Sequence, residues 1–308
     1  MKKHVQKKFC KHNRVNGFTL IEMAIVLVII GLIVAGVLVG SDMINAAAVR
    51  MQIAQIEKYQ SAVNTFKTKY NNQLPGDIDN ADAVAFGFAA RGSYAGEGDG
   101  NGVIEIISHN ASGDNWGGGS AVSGEGAVFW MDLSQANLID GSFNSALTSS
   151  TIATSVTGGA VSTYLPPAKL GGGAYVYVWS GGINGGDSQN YFGIAGINDA
   201  NGVPINYQFG GAHRFVVSAI TVLQAYNIDN KIDDGSPLSG RVQVMEWAYN
   251  GVAYAEGGAG GNQASPTNAV WPGATDCWDN GGVANAATHY SLVAASAANA
   301  NCALSFKF

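Results

Sequence analysis

The chain has 308 residues, of which 12% are charged and 47% hydrophobic, and its formal net charge is −6. An acidic chain lacks the positive surface that nucleic-acid binding needs, so the composition argues against a nucleic-acid partner. The length accommodates a membrane anchor and one or two globular units. The 42 glycines exceed the usual share of about 7% without a collagen period, which indicates loop-rich β structure.

A basic segment opens the chain and an apolar run follows it. Residues 1–17 contain six lysines and arginines and no acidic residue. The 23 residues of 18–40 are enough to cross a bilayer core of about 30 Å at about 1.5 Å per residue. Basic flanks stay in the cytoplasm, so everything after Gly40 is expected outside it. Glu22 lies within the apolar run, where an ionisable group is costly and therefore indicates a function.

Two ordinary explanations compete for this segment. A secretory signal has a core of about 7–15 apolar residues and a small-residue cleavage site after it. Here the core is longer, and Gly17, the best small-residue site, precedes it. A plain membrane anchor would explain the length and the basic flank, but it would gain nothing from Glu22.

The junction sequence Gly17-Phe18-Thr19-Leu20-Ile21-Glu22 resembles the type IV prepilin signal, which is shared by type IV pilins and the pseudopilins of type II secretion. The resemblance implies that prepilin peptidase cuts after Gly17 and that the new amine of Phe18 is methylated. It also implies that Glu22 meets the Phe18 amine of a neighbouring subunit during assembly. Cleavage would leave ten basic against 22 acidic residues, a formal charge of −12.

The resemblance implies a structural subunit of a type IV pilus-like or pseudopilus filament, and no enzyme signature competes with it. The expected partners are prepilin peptidase, other pilin or pseudopilin subunits, the inner-membrane assembly platform and membrane lipid. The expected location is the bacterial inner membrane, single-pass, with the C-terminal domain in the periplasm, and then a filament or the cell surface. The alternative is a membrane-anchored binding protein or adhesin that never polymerises, for which Glu22 would be dispensable.

The apolar run is predicted to continue as one long helix. Apolar residues recur at three- and four-residue steps between Ala46 and Tyr70, with a polar face opposite that includes Gln52 and Gln55. Pro75-Gly76 is a strong turn signal after it. The predicted organisation is a leader over 1–17, a helix over 18–70 that spans the membrane over 18–40, and a globular domain over 71–308. The predicted fold class is α+β, in which the resemblance implies that the long helix packs on an antiparallel sheet.

The globular domain is predicted to mix one further helix with several strands. Helical spacing covers Ala127–Leu138. Glycine-bounded β-branched and aromatic runs predict strands over 174–179, 191–197, 214–222 and 242–248. The segments 142–163 and 257–269 are rich in small residues and predict surface loops. The segments 70–77, 129–133 and 229–235 resemble a group of large bacterial prepilin-like proteins.

Cysteine usage predicts one disulfide. Cys10 lies in the leader and would be lost on cleavage, which leaves Cys277 and Cys302 as an even pair in an oxidising compartment. Two free buried thiols are the alternative. Zinc is disfavoured because His289 is the only nearby histidine.

Calcium is the one cofactor to which the sequence points. Glu97, Asp99 and Asn101 place oxygen ligands at alternate positions, as in the first half of a calcium loop, but no glutamate closes it. A glycine- and aspartate-rich turn is the alternative. Asp229, Asp233 and Asp234 would repel one another unless Lys231 and Arg241, or a cation, neutralise them. Major pseudopilins bind calcium in a C-terminal loop, although the match here is not residue for residue.

Overall fold

The computed structural model describes most of the chain. The described residues are 19–91, 98–106, 116–117, 124–145, 158–180, 188–196, 219–244, 247–249, 252–254, 277–283, 285–292 and 300–308. Gly17, Phe18 and Glu97, with the predicted loop over 257–269, lie outside them. The chain forms two compact units, Met1–Ala46 and Ala47–Phe308.

The secondary structure is a long helix followed by short helices and strands. The helices are α1 (Leu20–Lys69), α2 (Asn80–Ala85), α3 (Gly124–Gln135) and α4 (Val222–Ile232), and a 3₁₀ helix covers Gly158–Thr163. The strands are β1 (Glu105–Ile106), β2 (Trp116–Gly117), β3 (Ala174–Ser180), β4 (Asn190–Gly196), β5 (Ile220–Thr221), β6 (Val242–Gln243), β7 (Trp247–Tyr249), β8 (Val252–Tyr254), β9 (Trp278–Asp279), β10 (His289–Tyr290), β11 (Ala300–Cys302) and β12 (Leu304–Lys307).

A four-stranded antiparallel sheet with the order β3-β4-β12-β6 organises the second unit. Seven residue pairs join β3 to β4, from Ala174 opposite Gly196 to Ser180 opposite Asn190. The remaining strands form two-stranded ribbons, among the residues that the structure describes. The prediction of an α+β fold with a long N-terminal helix and an antiparallel sheet is confirmed.

Part of α1 buries one face in the core of the second unit. Its apolar residues there recur at the predicted helical spacing, and they are Val49, Ile56, Tyr59, Ala62, Val63 and Phe66. The rings of Tyr59 and Trp130 meet edge to face with centroids 4.9 Å apart. Such apolar burial is the main favourable contribution to folding.

Gln52 was predicted to lie on the polar face of the helix, but its side chain is completely buried. Its Oε1 atom accepts a hydrogen bond from the Leu170 amide at 3.3 Å. Gln55, nearly one helical turn later, accepts a hydrogen bond from the Lys169 amide and donates one to the Pro167 carbonyl. The two glutamines therefore attach the segment before β3 to α1, a role that helical periodicity cannot distinguish from solvent exposure.

The predicted strand over 214–222 is wrong at its end, since Val222 begins α4. Residues 214–218 lie outside the described part of the chain. Thr221 caps α4 by accepting from the Gln224 amide, while the Gln224 side chain accepts from the Thr221 amide. This reciprocal capping satisfies donors that a helix N-terminus otherwise leaves free. The predicted strand over 242–248 is also interrupted, with β6 ending at Gln243 and β7 beginning at Trp247.

Cys277 and Cys302 form a disulfide in the structure, with their Cα atoms 5.2 Å apart. Both side chains are buried, and the bridge joins β11 to the residue before β9. A bridge that closes a loop of this size stabilises a fold by about 3 kcal/mol on the chain-entropy model.

We expect a Cys302→Ser variant to melt at a lower temperature than the parent protein, because its unfolded chain regains the freedom that the bridge removes. Mass analysis of non-reduced peptides should show the fragments containing Cys277 and Cys302 linked in the parent. Full alkylation of both thiols in protein isolated from the cell envelope would contradict the bridge.

Candidate functional site

The start of α1 holds the predicted assembly residue Glu22. Both the backbone amide and the hydroxyl of Thr19 donate to Oε2 of Glu22 at 2.8 Å. The Glu22 amide donates in return to the Thr19 hydroxyl at 3.3 Å. This arrangement is a capping box, in which two residues three positions apart satisfy each other's groups at a helix start.

The helix beyond Glu22 presents apolar side chains all round. Among the described residues, α1 is the one helix long and apolar enough to cross a membrane. The most apolar stretch of α1 is not buried within the chain. Its leucines, isoleucines and valines are exposed from Leu20 to Val39. Large exposed apolar surfaces mark contacts with a membrane or with other proteins. An added Cβ at Gly31, Gly36 or Gly40 would lie in open space, and the helix continues through these glycines without a break.

The structure brings Asp229, Asp233 and Asp234 together at the end of α4. One carboxylate oxygen from each lies within 4.8 Å of the others. Oxygens that share one calcium ion at about 2.4 Å can be at most about 5 Å apart, so the donor set fits that ion. Neither Lys231 nor Arg241 forms an ion pair with these carboxylates in the described structure.

The three carboxylates already accept hydrogen bonds from the protein. Buried Asp229 accepts from the Tyr290 hydroxyl at 2.8 Å and from the Gly235 amide at 3.3 Å. Burial raises the pKa of Asp229 to about 6, against the opposing effect of the Tyr290 hydrogen bond. Exposed Asp234 accepts from the Ser239 hydroxyl at 2.7 Å, and this bond lowers its pKa.

A second acidic cluster contains Asp99 together with two residues that the sequence did not predict for it. Its carboxylate oxygen lies within 4.8 Å of oxygens from Asp77 and Glu125, both of which are buried. Oδ1 of Asn101 accepts from the Val103 amide at 2.8 Å. Glu97 lies outside the described residues. Asp77 and Glu125 were missed because they are distant in sequence from Asp99.

Backbone amides surround the Asp77 carboxylate. Its Oδ1 accepts from the Gly100 amide at 3.0 Å, and its Oδ2 accepts from the Gly102 amide at 2.7 Å. Burial raises the pKa of Asp77 to about 7, while the bond from Gly102 opposes that rise. Asn190 holds the same loop on β4 by accepting from the Ile104 amide and donating to the Gly102 carbonyl.

Calcium binding at Asp229, Asp233 and Asp234, and at the loop that contains Asp99, stays a prediction, and Asp77 and Glu125 are added to the second site from the structure. A ligand that binds only the folded state stabilises it by about 2.7 kcal/mol at a hundredfold excess over Kd. We expect calcium to raise the melting temperature above that in chelator. Asp77→Asn and Asp229→Asn, each of which removes one carboxylate from one cluster, should divide the effect between the clusters. Equal melting temperatures in calcium and in chelator would contradict both sites.

The pH dependence provides a second measurement on the Asp77 cluster. Because the folded-state pKa of Asp77 lies above its unfolded value, the protonated carboxyl stabilises the calcium-free fold. That contribution is complete below about pH 4 and is lost as the pH rises through about 7. We therefore expect the calcium-induced rise in melting temperature to be larger at pH 8 than at pH 5, and the difference to shrink in Asp77→Asn.

A buried ion pair joins Arg91, which follows α2 in the chain, to Asp132 of α3. The Arg91 guanidinium donates to Oδ2 of Asp132 at 2.7 Å, and both side chains are almost fully buried. The Gly76 amide donates to the same oxygen at 2.7 Å. Burial raises the pKa of Asp132, and the charge of Arg91 opposes that rise. Asp132 thereby connects two segments, 70–77 and 129–133, that the sequence singled out separately.

Gly76 allows this turn to approach α3. Its φ angle is +85°, and an added Cβ would lie 2.4 Å from the Glu125 carbonyl oxygen. Only glycine fits such a position without strain.

We expect Arg91→Met to destabilise the second unit by roughly 3–5 kcal/mol, because it leaves the Asp132 carboxylate buried without a cation. The matched control is the double variant Arg91→Met with Asp132→Leu, which removes both charges. Chemical denaturation should show the double variant more stable than Arg91→Met alone. Equal losses in the two variants would show that packing, and not the unpaired charge, dominates.

Among known protein families, one family model matches the chain, and it covers only the N-terminal part. Residues 12–38 match the prokaryotic N-terminal methylation motif, the prepilin-type cleavage and methylation signal of type IV pilins and pseudopilins. No curated protein and no solved structure matches the chain. The match includes Gly17, Phe18, Glu22 and the first part of the apolar helix.

Proposed function

We propose that this protein, which contains the prepilin-type methylation motif, is a structural subunit of a type IV pilus-like or type II secretion pseudopilus filament. The matched motif supports a pilin-like or pseudopilin precursor, and it implies processing by prepilin peptidase and assembly with other pilin subunits. The observation that carries the proposal is Glu22 near the start of an exposed apolar helix. A carboxylate at this position is costly in a membrane, so an ionisable group here indicates a functional position.

In this proposal the subunit waits in the inner membrane with its C-terminal domain in the periplasm. The motif and the apolar helix support membrane anchoring. The basic residues before Phe18 favour a cytoplasmic leader. Assembly then draws the subunit out of the bilayer, and the apolar helices of many subunits pack together. This role requires folding, processing and packing, and no catalytic residue.

The test is to isolate surface filaments by shearing and to examine them by electron microscopy and intact mass. We expect the protein in the filament fraction as a mature chain that begins at Phe18. Mature protein that stays in the membrane fraction of cells with an active assembly machine would favour the anchored binding protein. A mature chain that begins at another residue would contradict processing at the matched motif.

A further inference from the structure

Asn101 and Gly102 form an asparagine–glycine step in the loop that surrounds Asp77. Oδ1 of Asn101 accepts from the Val103 amide at 2.8 Å, and such a bond to the amide two residues later folds the side chain over the peptide between them. Gly102 has a φ angle of +88° and no side chain that would obstruct an approach to its nitrogen. The side-chain carbon Cγ of Asn101 and the backbone nitrogen of Gly102 are therefore the electrophile and the nucleophile of a closure to a cyclic imide.

Two further groups lie where this ring closure needs them. Oδ2 of Asp77 accepts the Gly102 N–H at 2.7 Å, within the range of about 2.6–3.2 Å expected of a general base. The Val103 amide donates to the oxygen on which negative charge develops when Cγ of Asn101 is attacked, as an oxyanion-hole donor does. Asn101 is also exposed, so water can reach the imide and ammonia can leave. Holding all these groups in place lowers the entropic part of the barrier.

We propose that Asn101 is a self-modification site, at which the Gly102 nitrogen attacks the Asn101 side chain with Asp77 as the general base. The bond that forms joins the Gly102 nitrogen to Cγ of Asn101, and the amide proton of Gly102 passes to Asp77. The bond that breaks is Cγ–Nδ2, and Asp77 returns the proton to the leaving nitrogen, which departs as ammonia. Water then opens the imide and leaves a carboxyl group at position 101.

The product changes the charge of an acidic loop. It adds a negative charge two residues after Asp99, whose carboxylate already lies within 4.8 Å of those of Asp77 and Glu125. The folded chain would thereby acquire a carboxylate that its encoded sequence does not contain. The reaction requires only the chain's own groups and water, and it is independent of filament assembly.

The test follows the peptide that contains Asn101 by mass spectrometry, since conversion of the amide to an acid changes its mass. The complete chain is incubated at neutral pH in chelator, so that no cation occupies Asp77, either folded or in denaturant. Unfolding removes the contact between Asp77 and Gly102 but leaves the asparagine–glycine step intact. We expect conversion to be roughly a hundredfold faster in the folded protein, the lower end of what a positioned acid–base group contributes.

Two variants separate the base from the general charge of the loop. Asp77→Asn keeps the size of the side chain and removes the base, and its folded rate should fall to the rate in denaturant. Asp79→Asn is the matched control: it removes an exposed carboxylate near the same loop, and asparagine caps α2 as well as aspartate does. It should convert at the parent rate.

Thermal melting checks that each variant is folded, and the comparison of folded with denatured parent protein decides the proposal even if Asp77→Asn does not fold. The proposal is overturned by conversion of Asn101 that is as fast in denaturant as in the folded protein. It is equally overturned by a folded Asp77→Asn variant that converts at the parent rate.

Discussion

Cells that produce only a Glu22→Leu variant are expected to insert, cleave and fold the protein but to form no filaments from it. Leucine lengthens the apolar surface of α1, and the leader and the second unit are unchanged. What is lost is the carboxylate that would meet the Phe18 amine of the neighbouring subunit. In a low-dielectric filament core, that attraction is far stronger than in water, so its loss removes a preference for the correct axial register.

The measurement is the amount of protein in the sheared fraction, together with electron microscopy of a strain that carries only the variant. Asp42→Leu is the matched control, since it removes the next carboxylate of α1, which is exposed and lies beyond residues 18–40. The control should assemble. Normal assembly of Glu22→Leu would favour the anchored binding protein, unless the protein is a tip subunit, in which such a glutamate can be dispensable.

The long helix could be predicted because its signals are local. The apolar run and the three- and four-residue spacing each depend on neighbours within a few turns, and α1 extends over Leu20–Lys69 as a single element. The strands β3 and β4 were also found, to within one residue at each end, from glycine-bounded β-branched and aromatic runs.

Helix α4 shows a local signal that the sequence contained but that the sequence analysis missed. Thr221 and Gln224 have the three-residue spacing of a capping box, and Val222, Ala225 and Ile228 follow at helical steps and are buried. The β-branched residues just before Val222 favoured a strand instead. Helix propensity is a weak indicator, and here the cap was the stronger one.

The acidic clusters show what no local pattern could provide. Asp229, Asp233 and Asp234 are close in sequence, and the turn of α4 brings them together as predicted from their density. Asp77, Asp99 and Glu125 come from three separate segments, which meet because the loop amides surround Asp77 and because Glu125 accepts from the Gly98 amide. Tertiary packing determines that proximity.

The Arg91–Asp132 pair has the same origin. A charged residue in an amphipathic helix is expected on the solvent face. The burial of Asp132 is made tolerable by the approach of Arg91 and by the Gly76 amide. Sequence reasoning could single out the segments that contain Gly76 and Asp132, but it could not show that they share a hydrogen bond.

A Gly17→Val variant is expected to remain uncleaved and therefore to stay in the membrane. Gly17 is the small residue at the junction of the matched motif, and its lack of a side chain suits the narrow peptidase cleft that the prepilin resemblance implies. A β-branched side chain there would exclude the junction from the cleft. The leader would keep its six positive charges, which favour the cytoplasmic side and oppose extraction from the bilayer.

Intact mass decides this prediction, because the uncleaved chain retains residues 1–17. Gly17→Ala is the graded control: it adds a single methyl group and should be cleaved more slowly than wild type but faster than Gly17→Val. Glu22 is unchanged in both variants, so a loss of filaments would come from the retained leader and not from the predicted assembly residue. Mature Gly17→Val protein that begins at Phe18 would show that the peptidase does not require a small residue here, and the position of the cut would then have to be determined by the apolar helix that follows it.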